Sequence, residues 1–98
     1  MNSEATSKYI DDHFETTFLE NLMKFVEIPN LTPSFDTEYL TNGLVNKAID
    51  FVLDFAKQMA IPGLEHYLHK EQGMPPMLVF TIPGDIDKNV MIYGHLDK

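Results

Sequence analysis

The spacing of the apolar residues changes once along this chain, at Pro62-Gly63, and this change limits the folds open to it. Before this point the apolar residues recur every three or four positions, which is the period of one face of an α-helix. After it one segment alternates loosely and two form short runs at consecutive positions, and such runs are typical of β-strands covered on both faces. With 98 residues, the chain is long enough for one small domain with a modest core. The sequence therefore predicts an α/β fold in which two helices precede three strands.

Two amphipathic helices are predicted before the change in spacing. The first spans residues 7–28 and ends at Pro29, because a proline disfavours helical backbone in the residue before it. Its apolar stripe, which we expect to be core, consists of Ile10, Phe14, Phe18, Leu22, Phe25 and Val26. The second helix begins after Asp36 or Thr41, either of which is a suitable cap, and continues to about residue 59. Gly43 costs about 1 kcal/mol inside a helix, which favours a start close to it.

Three strands are predicted after Gly63, at residues 64–70, 77–82 and 89–93. Turns are expected between them at Gln72-Gly73 and at Pro83-Gly84-Asp85. The last two runs are apolar at consecutive positions, so we expect neighbouring structure on both of their faces. No segment reads as a linker, and residues 1–98 are expected to belong to a single domain.

The chain is acidic, with a net charge of −8 from fifteen Asp and Glu against seven Lys and no Arg. Nucleic-acid binding needs basic patches, so no nucleic-acid partner is expected. The absence of Cys excludes disulfides and thiolate metal ligands and fits a reducing compartment. Neither a signal-like N-terminus nor a long apolar span is recognisable, so we expect a cytoplasmic protein with no membrane partner.

The last five residues, Gly94-His95-Leu96-Asp97-Lys98, form the pattern that points to chemistry, and they directly follow the apolar run 90–93. If the chain stays extended, His95 and Asp97 lie on the same side, because side chains two residues apart face one way. Asp97 can then accept a hydrogen bond from one ring nitrogen of His95, which leaves the other nitrogen available to a metal. This pattern makes His95 a candidate metal ligand and Asp97 a candidate for the carboxylate that orients it. Considered alone, such a triplet more often represents a surface histidine beside a loop aspartate.

The other three histidines are expected to be ordinary. His66 and His69 are three apart in a predicted strand, so their side chains face opposite sides and cannot share a metal. His13 lies on the polar flank of the first helix. The sequence also has no phosphate-binding glycine-rich loop and no Gly-x-Ser-x-Gly motif.

The segment Ile92-Tyr93-Gly94-His95-Leu96-Asp97-Lys98 resembles the first metal-binding signature of the zinc aminopeptidase and carboxypeptidase superfamily. Within it, the resemblance is to the branch of carnosine-type dipeptidases and glutamate carboxypeptidases. Phe25-Val26-Glu27-Ile28-Pro29 resembles the end of that family's first helix, and Ala60-Ile61-Pro62-Gly63-Leu64 resembles the entry to its first strand. Pro83-Gly84, before the histidine-bearing strand, fits as well, so the resemblance covers most of the chain, from about Tyr9 to Lys98.

This resemblance implies that residues 1–98 are the N-terminal part of a mixed-sheet zinc-exopeptidase catalytic domain. His95 matches the first zinc ligand, and Asp97 matches the catalytic carboxylate that orients or polarises it. The family's site holds two zinc ions, with a bridging Asp, further Glu, Asp or His ligands and a Glu as general base, all of which lie after this signature. We therefore expect a fragment of a dipeptidase that cleaves small peptides with metal-activated water, inactive alone, whose full-length relatives are often homodimers.

A second interpretation is a non-catalytic acidic interaction module derived from such an enzyme. A catalytic zinc usually needs three protein ligands and an open position, and His95 is the only residue that matches one. An unfinished sheet has an open edge, which favours pairing with another chain. The sequence leaves both interpretations open.

Overall fold

The computed structural model describes residues 2–98 and contains two helical segments followed by a two-stranded sheet. The first segment consists of α1 (Ser3–His13), a π turn (Phe14–Phe18) and α2 (Leu19–Val26). The second is α3 (Leu44–Gln58), and the strands are β1 (Glu65–His69) and β2 (Met77–Thr81). The predicted combination of helices followed by strands is confirmed at this level. The predicted third strand is not present among the described residues.

The first helical segment begins earlier than its apolar pattern predicts. Asn2 caps it, because the Asn2 side-chain oxygen accepts a hydrogen bond of 3.1 Å from the Ala5 amide. The segment stays helical through the π turn, where the Leu19 amide donates to the Phe14 carbonyl. Apolar residues four apart drift by about 40° per step around an α-helix of 3.6 residues per turn, and the wider π turn takes up part of that drift. The helix ends before Pro29, as predicted.

The apolar stripe of this segment is mostly exposed, so the expectation that it is core is wrong for most of its length. Phe14 and Phe18 are each 47% exposed and Ile10 is 55% exposed. The reason is that neither α1 nor the π turn packs closely against α3 or the sheet, so the described elements leave this face largely uncovered. Packing begins only at the carboxyl end of α2, where the Phe25 ring lies 6.1 Å from the Phe51 ring of α3.

Helix α3 begins at the residue after Gly43, which confirms the expected start close to that glycine. Gly43 has a φ of 80°, a left-handed conformation that favours glycine. The Leu44 amide donates to the side-chain oxygen of Asn42 at 3.0 Å, so neither Asp36 nor Thr41 caps the helix. Asp36 instead closes the preceding loop, because its carboxylate accepts hydrogen bonds from the Glu38 amide and the Asn42 side chain. None of the helices within residues 2–98 has the length and apolar character that crossing a bilayer requires.

The buried core is small and lies where the connection after α2 meets α3. Its apolar members are Ile28, Ala48 and Ile49, and Asn30 is buried among them. The accessible surface is 8257 Å², whereas a compact monomer of this mass has roughly 5,700 Å². The radius of gyration is 15.8 Å, whereas a compact chain of this length has about 12.6 Å. Much apolar surface is therefore left without a covering element.

The two strands confirm the predicted positions to within a residue. They pair antiparallel with His66 opposite Phe80 and His69 opposite Met77. The expected turn is present, since Gly73 has a φ of 80° and the Met74 amide donates to the Glu71 carbonyl. Three consecutive residues of β2 are half-buried, so both faces of that strand are partly covered.

The third strand, predicted at residues 89–93, is not formed in the described part of the chain, so this prediction is wrong. Val90, Met91 and Ile92 are between 89% and 92% exposed, so neither face of this run is covered. The run has the composition of a strand, but a strand also needs a neighbour that accepts and donates its backbone hydrogen bonds. Among residues 2–98, neither β1 nor β2 provides that neighbour to the run.

The uneven burial of the first apolar stripe predicts a contrast between two phenylalanines of one helical segment. Phe25→Ala should lower the free energy of unfolding by about 2–3 kcal/mol, because it removes a ring that packs against Phe51. Phe14→Ala should lower it by less than about 1 kcal/mol, because the ring is half-exposed. Urea unfolding followed by circular dichroism measures both. Equal losses would show that the stripe is covered in solution.

Candidate functional site

Tyr93, His95 and Asp97 form a continuous line of hydrogen-bonding side chains near the carboxyl end of the described chain. The Nδ1 atom of His95 lies 3.0 Å from Oδ1 of Asp97. The Nε2 atom of His95 lies 3.1 Å from the Tyr93 hydroxyl. These residues alternate along a segment that forms no strand and bends at Leu96, and their side chains nevertheless reach one another. The contact between His95 and Asp97 that the sequence predicts is therefore present.

The chemistry of the three groups fixes where the ring proton lies. An ionised Asp97 carboxylate only accepts hydrogen bonds, so Nδ1 of His95 is the donor. In the neutral ring Nε2 then carries a lone pair, which accepts the Tyr93 O–H. This is the tautomer in which Nε2 is the metal-binding nitrogen. A metal at Nε2 would take the place that the Tyr93 hydroxyl now occupies.

His95 and Asp97 differ in how firmly their surroundings hold them. The His95 side chain is 66% exposed, whereas the Asp97 side chain is 32% exposed. Beyond its two hydrogen bonds, His95 makes an edge-to-face contact with Tyr93 at 5.2 Å between ring centroids. The direction of the imidazole therefore depends largely on where Asp97 is held.

The backbone around Asp97 is attached to the connection after α2, through Asn30. Asn30 is only 1% exposed, and its side-chain nitrogen donates to the Leu96 carbonyl at 2.9 Å. The Lys98 amide donates to the Asn30 carbonyl at 3.1 Å, and the Thr32 amide donates to the Lys98 carbonyl at 3.2 Å. The last two bonds have the pattern of neighbouring parallel extended chains. This is the one place where the carboxyl-terminal segment gains a backbone partner among the described residues.

The ammonium group of Lys98 points inward and completes this attachment. It donates to the Ile28 carbonyl at 2.7 Å and to the side-chain oxygen of Asn30, and it lies 4.0 Å from the centroid of the Phe25 ring. Removing the ammonium from water lowers the pKa of Lys98 below its usual value. The carbonyl acceptors and the aromatic face partly offset that loss of hydration.

Sequence reasoning identifies His95 and Asp97 but misses Asn30 and Lys98. An asparagine after a helix-ending proline is ordinary in a connection, and a lysine after Asp97 is ordinary on a surface. Their partners lie 66 to 70 residues away in sequence, and no local pattern reports such pairs. Position is the one feature of the sequence that could have indicated a role for them, since Asn30 follows Pro29 at the end of the first helix and Lys98 follows Asp97.

The donor set does not make a complete zinc site. No group of three or more His, Cys, Asp or Glu is placed to hold a metal ion in the described part of the chain. His13 bonds the Tyr9 carbonyl, and His69 lies near Tyr67 and Glu71, so both are engaged elsewhere as expected. The residues present fit one zinc ligand and its orienting carboxylate, whereas a catalytic zinc usually needs three protein ligands.

No protein-family model matches the chain, and no curated protein matches it significantly. The metallopeptidase resemblance of residues 92–98 therefore stays a prediction.

The hydrogen-bond line predicts which tautomer His95 adopts when neutral. It should carry its proton on Nδ1, whereas His66, which has no side-chain hydrogen bond among the described residues, should show the mixture of a free imidazole. Nitrogen-15 correlation spectra of the ring nitrogens measure this directly. Asp97→Ala should move His95 towards the His66 pattern. Tyr93→Phe should leave the proton on Nδ1, because Asp97 still accepts it.

Proposed function

We propose that this chain carries the first metal-binding segment of a zinc-dependent dipeptidase or carboxypeptidase-type hydrolase that acts on small peptides. In this proposal Nε2 of His95 is a zinc ligand and Asp97 is the catalytic carboxylate that orients the ring. The observation that carries the proposal is the 3.0 Å contact between Nδ1 of His95 and Oδ1 of Asp97. The resemblance of the surrounding segment to the carnosine dipeptidase and glutamate carboxypeptidase family supports it.

The chemistry of the pair suits this role. A carboxylate that accepts the Nδ1 proton fixes the tautomer and raises the basicity of Nε2, which strengthens a bond to zinc. Bound zinc polarises a peptide carbonyl and lowers the pKa of a bound water, so that hydroxide forms near neutral pH. In this proposal the Tyr93 hydroxyl donates a hydrogen bond to Nε2 of His95 in the metal-free protein, and a bound metal would take the place of that hydroxyl.

The remaining parts of the enzyme lie outside residues 1–98 in this proposal. His95 supplies one ligand, so the further ligands of a two-zinc site and the general base belong to segments beyond the signature. We propose small peptides as substrates and a homodimer as its assembly on the basis of the same resemblance, and the cytoplasm as its location because the Cys-free composition fits a reducing compartment.

A second candidate, a non-catalytic acidic interaction module, is favoured by a different observation. Apolar surface is exposed at two places, along the stripe that contains Phe14 and Phe18 and along residues 90–93. Contiguous exposed apolar surface often marks a protein–protein interaction site. In this alternative the hydrogen bond between His95 and Asp97 is a surface contact without a metal.

We predict that the purified chain hydrolyses no dipeptide, whether or not zinc or manganese is added. The reason is the number of ligands, because a single histidine leaves the metal exchangeable and without a fixed open position. The release of amino acids from a panel of dipeptides, compared with a metal-only blank, measures this. Turnover that is above the blank and is lost in His95→Ala would contradict the proposed division of ligands.

The two candidates predict different coding sequence downstream of the Lys98 codon. The enzyme proposal expects further carboxylate or imidazole ligands along the same domain, because zinc needs them, and the family resemblance implies a lone Asp followed by a Glu-Glu pair. Sequencing of the transcript measures this. A stop codon after Lys98 with no related coding sequence downstream would favour the interaction module.

A further inference from the structure

We infer that Asn30 and Lys98 are positioning residues for the pair formed by His95 and Asp97. This inference rests on the proposed function, because it concerns how the side chain of a metal-binding histidine is oriented. It goes beyond that function by assigning roles to two residues that the metal-binding signature does not explain. Neither residue touches His95.

Asn30 holds the backbone on both sides of Asp97. The Leu96 carbonyl belongs to the peptide unit before the Asp97 Cα, and it accepts from the Asn30 side chain. The Lys98 amide belongs to the peptide unit after that Cα, and it donates to the Asn30 carbonyl. Two fixed peptide units determine the backbone dihedrals between them and therefore the direction of the Asp97 Cα–Cβ bond. One buried residue thus sets where the Asp97 carboxylate points.

Lys98 fixes the orientation of the Asn30 amide. Its ammonium group donates to the side-chain oxygen of Asn30, so the amide nitrogen must face the Leu96 carbonyl. A rotated amide would place its NH₂ group against the ammonium and its oxygen against a carbonyl, which are both repulsive contacts. Ile28 and Phe25 hold the ammonium in place from the end of α2. A chain of contacts therefore connects α2 to Lys98, Lys98 to Asn30, and Asn30 to the backbone on both sides of Asp97.

His95 depends on this support because little else directs its ring. Its side chain is 66% exposed and, within residues 2–98, Asp97 is its one charged partner. When Asp97 loses its fixed direction, the Nδ1 hydrogen bond weakens and the ring rotates in solvent. The nitrogen available to a metal is then no longer determined. Asn30 and Lys98 act on the histidine through this one carboxylate.

The experiment compares two disruptive variants with matched exposed controls in the full chain. Asn30→Ala removes the side-chain bond to Leu96, and Lys98→Met keeps an apolar contact with Phe25 while removing the donors. Asn89→Ala and Lys88→Met are the controls, because both side chains lie in the exposed segment. Two readouts are taken by nuclear magnetic resonance: the tautomer of neutral His95 in metal-free protein, and the shift of the His95 ring on titration with zinc chloride.

We expect both disruptive variants to move His95 from the Nδ1–H tautomer towards the free-imidazole mixture. We also expect them to weaken zinc binding at His95 by about 3- to 10-fold, which is below the usual effect of replacing a group that contacts a ligand directly. The controls should stay within about twofold of the wild type. Lys98→Arg keeps the positive charge and the aromatic contact, so it should restore most of the tautomer preference.

The outcomes separate this inference from the proposed function. Unchanged tautomer and zinc affinity in both disruptive variants would overturn the positioning role, even when zinc binds His95 in the wild type. If wild-type His95 binds zinc no more tightly than His66 does in the same titration, while its tautomer still responds to Asn30→Ala, the metal role is overturned and the positioning role is supported. If circular dichroism shows that Asn30→Ala unfolds the chain, the comparison of Lys98→Met with Lys98→Arg decides the question.

Discussion

The burial of Asn30 is the constraint on which the position of the last three residues, 96–98, depends. An amide taken out of water without hydrogen-bond partners costs about 1–3 kcal/mol, so Asn30 is stable in the core only when its partners are in place. Those partners are the Leu96 carbonyl and the Lys98 ammonium and amide, more than 60 residues along the chain. Burial of the connection after α2 and docking of residues 96–98 are therefore one event. The position of Asp97, and through it that of His95, results from that event.

The same structure leaves large apolar areas without a neighbour, and this connects its energetics to its function. Among the described residues, the buried apolar side chains are those of Ile28, Ala48 and Ile49, while most of the stripe that contains Phe14 and Phe18, and the run 90–93, face solvent. A net charge of −8 opposes self-association, yet the apolar faces favour association. Both proposed functions account for the exposed apolar faces, because further segments of the catalytic domain or a protein partner would cover them. They differ in whether His95 has a metal to bind.

Features that depend on near neighbours in sequence were predictable from sequence. Pro29 ends the first helix, Gly43 places the start of α3, and Gly73 marks the turn between β1 and β2, because each imposes its own backbone preference. The contact between His95 and Asp97 belongs to this group as well, since the two residues are close in sequence, although the backbone bends at Leu96 between them and is not extended as expected. Helices before strands, and a histidine beside a carboxylate, were therefore predictable from the chain alone. The start of the first helix at Ser3 was missed because Asn2 caps a turn that carries no apolar stripe.

Only the tertiary structure decided which of these elements are covered and what holds the site. The spacing of Phe14 and Phe18 predicts a helix face, but burial needs a second element against that face, and none of the described elements lies there. The run 90–93 has the composition of a strand, but pairing needs another chain segment at hydrogen-bonding distance. Asn30 and Lys98 look ordinary in sequence and become supports of Asp97 only through partners far along the chain. Sequence thus determined the local conformations and the chemistry of the His95–Asp97 pair, whereas burial and support arose from contacts between distant residues, which local periodicity does not report.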